Sequence, residues 1–260
     1  MVRRTTPPQS EIVNAHFSAN PSSYADRYRR ETSPGYARRV RKERLLDLLG
    51  PGRGTLLDLG CGPGVISKEI IDLGWRYHGC DASMQMIDEA RIRVTEGSFS
   101  VGRAEQIDFP DNTYDVVVAM GLVEYLDDER LALKEMRRVL RPDGRLLVSV
   151  CNWWSPLRMW DRYLRAPLAK ILRPLLGRTT DGVFHRHYTT REYSRLLEEQ
   201  GFGDCSWVYY NFRLLPRPFD LWFPRVSVRI AKLLEPLRIT SLRFWGTGAL
   251  VDARRTRDIR

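Results

Sequence analysis

The segment Leu56-Leu57-Asp58-Leu59-Gly60-Cys61-Gly62-Pro63-Gly64 constrains this chain more than any other. An apolar run breaks into D-x-G-x-G-x-G and then into a helical pattern, which reads as a strand, a tight turn and a helix. Glycines suit such a turn because the backbone must bend sharply and let a ligand approach where a Cβ would collide. Asp81, 21 residues beyond Gly60, follows the next apolar run, Tyr77-His78-Gly79-Cys80. A carboxylate at the end of a second strand can accept from both hydroxyls of a ribose. Loop and carboxylate together point to a nucleoside-bearing ligand, and the glycines alone would suit any dinucleotide-binding fold.

The periodicity around this loop alternates between strand-like and helix-like stretches, as in a parallel sheet with crossover helices. Strands are predicted at Thr55–Leu59, Tyr77–Cys80, Ser98–Val101, Tyr114–Met120 and Arg145–Val150, with two more at Cys205–Tyr210 and Ala249–Ala253. Helices are expected at Val65–Leu73, Met84–Val94 and Asp128–Val139, the last closed by an Arg141-Pro142-Asp143-Gly144 turn. A later helix starts at Thr189, where Thr189 and Glu192 have capping-box spacing, and stops at Gly201. The expected fold is α/β: a doubly wound, mostly parallel seven-stranded Rossmann-like sheet with helical lid insertions. Residues 1–45 read as a helical N-terminal cover and 46–260 as the ligand-binding domain, with lids at about 152–187 and 211–246.

Composition narrows the function. The chain of 260 residues has a net charge of +10, but residues 51–150 carry 12 Lys/Arg against 17 Asp/Glu, so the excess lies on the flanks. Arginine supplies 37 of the 42 basic residues, a bias that fits a GC-rich genome better than an evolved phosphate-binding surface. Nucleic acid is therefore not the expected partner, and no RNA-binding module is recognisable. The four cysteines, Cys61, Cys80, Cys151 and Cys205, lack metal-ligand spacing, so no metal is expected and they read as reduced thiols of a cytoplasmic protein. No window reaches the roughly 18 apolar residues of a membrane span.

Four motifs in order carry a resemblance. These are Leu57 to Gly64; Asp81-Ala82-Ser83-Met84-Gln85-Met86; Gly102 to Asp115, which includes Arg103-Ala104-Glu105-Gln106; and Arg138-Val139-Leu140-Arg141-Pro142-Asp143-Gly144. Over about residues 45–150 the chain resembles the class I S-adenosylmethionine (SAM) dependent methyltransferases, in particular the small-molecule type 11 group that includes ubiquinone and menaquinone biosynthesis enzymes. The resemblance implies SAM as cofactor, with S-adenosylhomocysteine (SAH) as product. It implies that Gly60, Gly62 and Gly64 pass under the methionine part, that Asp58 engages its amino group directly or through water, and that Asp81 holds the ribose. Ala104 and Glu105 would lie at the adenine edge, Ala82 and Met86 would flank the ring, and Met120 would sit near the methionine. Two residues depart from the group. Arg103 stands where Asp is common and has no acceptor for the adenine amino group, which shifts that role to the backbone, Glu105 or Gln106. Tyr125 stands where His is frequent.

Methyl transfer from a sulfonium is an in-line substitution that needs alignment in a dry cavity and no obligatory catalytic side chain. A hydroxyl acceptor gains from a general base, and His185 and His187 fall in the loop before the capping box, as bases or as solvated loop residues. His78, inside a predicted strand, reads as core. Segments 157–176 and 212–245 interleave arginines with Trp, Phe and Leu. They fit a lid packed on its own domain, a peripheral membrane contact, or a lid over an apolar, even anionic, small-molecule acceptor. The leading reading is a SAM-dependent methyltransferase of a quinone-precursor-, polyketide- or lipid-like molecule. An RNA methyltransferase and a non-catalytic SAM-binding protein are the alternatives, and oligomeric state is not legible.

Overall fold

The computed structural model describes residues 12–14, 21–167, 186–216 and 219–257. Apolar runs rich in Leu and Val, with no polar alternation, make strands buried on both faces. Seven strands, of which the central β1 and β4 are of this kind, form one sheet in the order β3-β2-β1-β4-β5-β7-β6: β1 (Thr55–Leu59), β2 (Arg76–Asp81), β3 (Ser98–Val101), β4 (Tyr114–Ala119), β5 (Leu140–Cys151), β6 (Phe202–Tyr210) and β7 (Gly248–Arg255). The first five are parallel, and β7 inserts antiparallel between β5 and β6.

Helices cover both faces. Ahead of the sheet come α1 (Pro21–Arg29) and α2 (Ser33–Leu49); α3 (Ser67–Asp72), α4 (Met84–Arg93) and α5 (Glu129–Val139) are the crossovers; α6 (Pro156–Trp160), α7 (Thr190–Glu199), α8 (Phe219–Trp222) and α9 (Pro224–Leu234) follow. One core holds Leu57, Val117, Leu133, Met136 and Tyr193, and the other holds Val40, Leu45, Leu56, Ile70 and Ile87. Each of these leucines removed from water is worth about 1.5–3 kcal/mol. The capping box forms as expected at α7, with Thr189 and Glu192 exchanging bonds.

Three boundaries differ from the expectation. Helix α2 runs through residue 45 into the core, so the N-terminal cover shares a helix with the domain. The segment Arg141–Gly144 is a bulge inside β5 rather than a turn before it: Leu140 already pairs with Tyr114, and the register resumes at Arg145 opposite Val116. Similarly β6 begins at Phe202, with a bulge between Gly203 and Ser206 where Asp204 takes positive φ.

Of the expected lids, 152–167 forms α6 and a helical continuation, whereas 168–185 lies outside the described residues. In the second, α9 packs on α2: Ser33 Oγ donates to Ser227 Oγ at 2.9 Å, and Tyr36 Oη donates to Glu235 Oε1 at 3.3 Å. That helix is thus a layer on its own domain, while Phe219, Leu221, Trp222 and Phe223 beside it stay exposed. Among the described residues no helix is long and apolar enough to cross a membrane.

Candidate active site

Between β1 and β4 the strand order reverses, and in a doubly wound sheet the crevice at such a point receives the ligand. A cavity of about 770 Å3 opens there. At its floor the chain leaves β1 through Gly60, whose N–H donates to the Cys80 carbonyl at 2.7 Å. Asp81 then ties the loop down, Oδ2 accepting from Gly62 N–H and Oδ1 from Ser83 N–H, each at 2.9 Å. Burial raises the Asp81 carboxyl above the usual carboxylate range, against the opposing pull of these two donors. Each oxygen keeps a lone pair for a further donor.

Eight of the ten residues expected at the cofactor line the cavity: Gly60, Gly62, Asp81, Ala82, Met86, Ala104, Glu105 and Met120. Asp58 and Gly64 do not line it. Asp58 is 1% exposed and accepts from Tyr77 Oη at 2.8 Å, while Tyr77 accepts from Ser67 Oγ at 2.7 Å. It therefore braces β1 against β2 and α3 from behind the loop instead of reaching the cavity. Gly64 abuts α4, where an added Cβ would come within 3.2 Å of the Ala90 Cβ.

The Asp58 carboxyl is pushed up to about 7, chiefly by burial, with Asp81 adding and Tyr77 and Arg41 opposing. An unfolded aspartate titrates near ~3.9, so between ~4 and ~7 the folded chain holds a proton that the unfolded chain has lost, and stability falls as pH rises through that window by up to ~4 kcal/mol. Asp58→Asn removes the ionisation. Chemical denaturation at pH 4.5 and pH 8 is expected to show a stability gain over the parent that is larger at pH 8; an equal difference at both pH values contradicts the burial argument.

Arg103 is not an empty substitution for an acid. It lies 3.7 Å from Glu105 Oε2 and 3.8 Å from Asp127 Oδ2, and so holds the Glu105 side chain in place. Glu105 Oε1 is buried without a hydrogen-bond partner among the described residues. An unsatisfied buried acceptor is costly, and a ligand amino group would satisfy it.

The 186–188 segment is stitched to the end of β5: Tyr188 N–H donates to the Cys151 carbonyl at 3.2 Å and Trp153 N–H to the Tyr188 carbonyl at 3.0 Å. His187 is thereby held in the cavity wall, with its ring 6.4 Å from that of Trp153. His185 lies outside the described residues. His78 sits on β2 with Nε2 2.9 Å from Ser100 Oγ and its ring edge-on to Phe109 at 4.5 Å, a packing role.

Sequence reasoning passed over Tyr24, Arg41 and Glu124. Tyr24 stands over the loop, its Cε1 3.9 Å from where a Gly62 Cβ would be. Arg41 lays its guanidinium against Gly121 in the turn after β4. Glu124 is 8% exposed and accepts from the Cys151 thiol at 3.3 Å. Nothing marks Tyr24 or Arg41 in a basic, aromatic N-terminal stretch, because the fold alone brings them to the cavity.

Residues 57–148 match the model of the family described as Methyltransferase domain. Over these residues the chain is similar to methyltransferase domains. Outside the family model, the chain is 31% identical over 176 residues to an uncharacterized 37.1 kDa protein in transposon Tn4556 of Streptomyces fradiae, covering 64% of this chain and 49% of that protein. It is 28% identical over 187 residues to a demethylmenaquinone methyltransferase of Corynebacterium glutamicum, covering 68% of this chain and 79% of that enzyme. The chain thus spans about half the length of the first relative and most of the second. A solved SAM-dependent methyltransferase of Thermotoga maritima shares the fold, with a TM-score of 0.65, 18% identity and coverage of 95% of this chain and 100% of that one. For a SAM-dependent methyltransferase domain, the unsatisfied Glu105 Oε1 and the remaining lone pairs of Asp81 offer acceptors of the kind that an adenine amino group and ribose hydroxyls need.

Proposed function

We propose that the chain transfers the methyl group of SAM to a small, largely apolar molecule bound in the same cavity. One observation carries this reading: a single cavity runs from Asp81 and Glu105 past Met120 to Trp153, Tyr163, His187 and Tyr210. Its volume lies in the upper part of the about 300–1,000 Å3 range of ligand pockets, which leaves room for donor and acceptor together. The relative named demethylmenaquinone methyltransferase supports a quinone-like acceptor class.

SAM supplies an electrophilic methyl group on a sulfonium. The chain's own part is to hold and align. Asp81 and Glu105 bind the ribose and adenine, Ala82, Met86 and Ala104 close apolar walls on the ring, and Arg41 offers a cation to the methionine carboxylate. His187 takes the proton from an acceptor hydroxyl. Aromatic walls exclude water, which strengthens each polar contact inside.

Incubation with methyl-labelled SAM and, in separate arms, a metabolite extract, total RNA or buffer alone tests the proposal. Label in an organic-soluble small molecule is expected; label in RNA favours the nucleic-acid alternative, and no label in any arm favours a non-catalytic binder. Once an acceptor is in hand, His187→Ala should lower kcat about 10²–10⁴-fold with SAM affinity nearly unchanged. An unslowed variant would leave alignment alone as the mechanism.

A further inference from the structure

Beyond Trp153 the cavity wall is built by α6 and its continuation, which widens into a π turn over Asp161–Arg165. This stretch turns Arg158, Arg162 and Arg165 to the cavity. Arg165 is neutralised by Asp161 at 2.5 Å. Arg158 and Arg162, one turn apart, have no carboxylate within 4.0 Å among the described residues.

Their side chains are nevertheless placed. Arg158 is half-buried, its Nε donating to the Thr247 carbonyl at 2.7 Å and its Nη2 to Cys151 Sγ at 3.2 Å. The nearby acid Glu124 is itself engaged by the Cys151 thiol at 3.3 Å. Arg162 stacks its guanidinium 3.7 Å over the Trp153 ring, and His187 meets the same ring edge-on. A half-buried guanidinium anchored by a carbonyl and a sulfur, with Glu124 beyond that sulfur, keeps N–H groups for a further acceptor, and its planar fork matches an oxyanion. Of the acids that line the cavity, Asp161 pairs with Arg165 and Glu124 accepts from the Cys151 thiol, while Asp81 and Glu105 belong to the nucleoside end, so none of them bonds Arg158 or Arg162.

We propose that Arg158 and Arg162 form an anion subsite for the acceptor, so that the methylated molecule has an apolar body and an oxyanionic head, a carboxylate or a phosphate. The proposal rests on the reading of the cavity as a donor-and-acceptor site. The oxyanion sits between the two guanidiniums against Trp153, and the apolar body extends toward Tyr210 and Met120. The head group thereby fixes which atom of the acceptor is presented to the methyl group.

The test is calorimetric titration of the SAH-saturated protein with benzoate, phenyl phosphate and neutral benzamide. Benzoate or phenyl phosphate is expected to bind about tenfold or more tightly than benzamide, and whichever of the two anions binds more tightly identifies the head group. Arg158→Gln and Arg162→Gln should each erase that preference while SAH affinity stays unchanged; Arg162 is exposed, so its replacement does not threaten folding. Benzamide binding as well as the anions, variants that keep the preference, or loss of SAH affinity in Arg158→Gln each overturn the subsite. A parent protein that fails to bind SAH sinks the methyl-donor reading instead, and the anion preference, measured without SAH, is then judged on its own.

Discussion

Asp81→Ala is expected to lower SAM affinity more than a hundredfold. The side chain does two jobs in this geometry: it accepts from Gly62 and Ser83 N–H, which sets the loop, and its remaining lone pairs face the cavity. Truncation loses at least two charge-assisted hydrogen bonds at about 1.5–3 kcal/mol each, against about 1.4 kcal/mol per tenfold in affinity. Asp81→Asn separates the jobs, since the amide keeps one acceptor and presents an NH2 where a donor already points. Its loss should be intermediate, about tenfold to a hundredfold. Isothermal titration on variants with parent-like circular dichroism reads both values. Parent-like affinity in folded Asp81→Ala would falsify the placement of the ribose.

The second large effect divides the glycine turn by function. Gly62 and Gly64 hold φ of 55° and 68°, a region that costs a branched residue about 1–2 kcal/mol. Their surroundings differ. Around a Gly62 Cβ the nearest atom is Tyr24 Cε1 at 3.9 Å, so a side chain there projects into the cavity. Around a Gly64 Cβ stand Ala90 Cβ at 3.2 Å and Ala90 Cα at 3.3 Å, and helix α4 must move. Gly62→Val should therefore fold, with a modest stability loss, and bind SAM at least about a hundredfold more weakly because the valine occupies ligand space. Gly64→Val should lose about 2–4 kcal/mol of stability from strain and overpacking together. Denaturant melts paired with titrations decide it. The division fails if Gly62→Val binds normally or if Gly64→Val is as stable as the parent.

The parallel half of the sheet is most legible where its strands are near-continuous apolar runs, as in β1 and β4, and where its turns carry glycine or a helix cap. Boundaries failed where local chemistry mimics a turn: Arg141-Pro142-Asp143-Gly144 and Gly203-Asp204 are turn-like sequences that the sheet absorbs as bulges. At the site, Asp81 is legible from its place at the end of β2, whereas Glu105 and Met120 are expected there only through the resemblance; all three line the cavity. The resemblance puts Asp58 at the methionine amino group, directly or through water; its carboxylate accepts from Tyr77 of β2, a contact that no local pattern in β1 announces. Arg41 and Tyr24 come from helices, where side-chain direction depends on packing between distant segments and leaves no local pattern. The same holds for the pairing of Arg103 with Glu105, which turns an apparent mismatch into a means of holding the carboxylate.

A glycine turn followed by an acid after β2 is shared with dinucleotide-binding folds, so SAM and NAD are the two nucleoside-bearing ligands to separate at the crevice between β1 and β4. Calorimetric titration of the purified chain with SAH and, separately, with NAD separates them most directly. One-to-one binding of SAH, weakened by Glu105→Ala and absent for NAD, is the predicted result; binding of NAD in preference to SAH, or heat from neither, would contradict it.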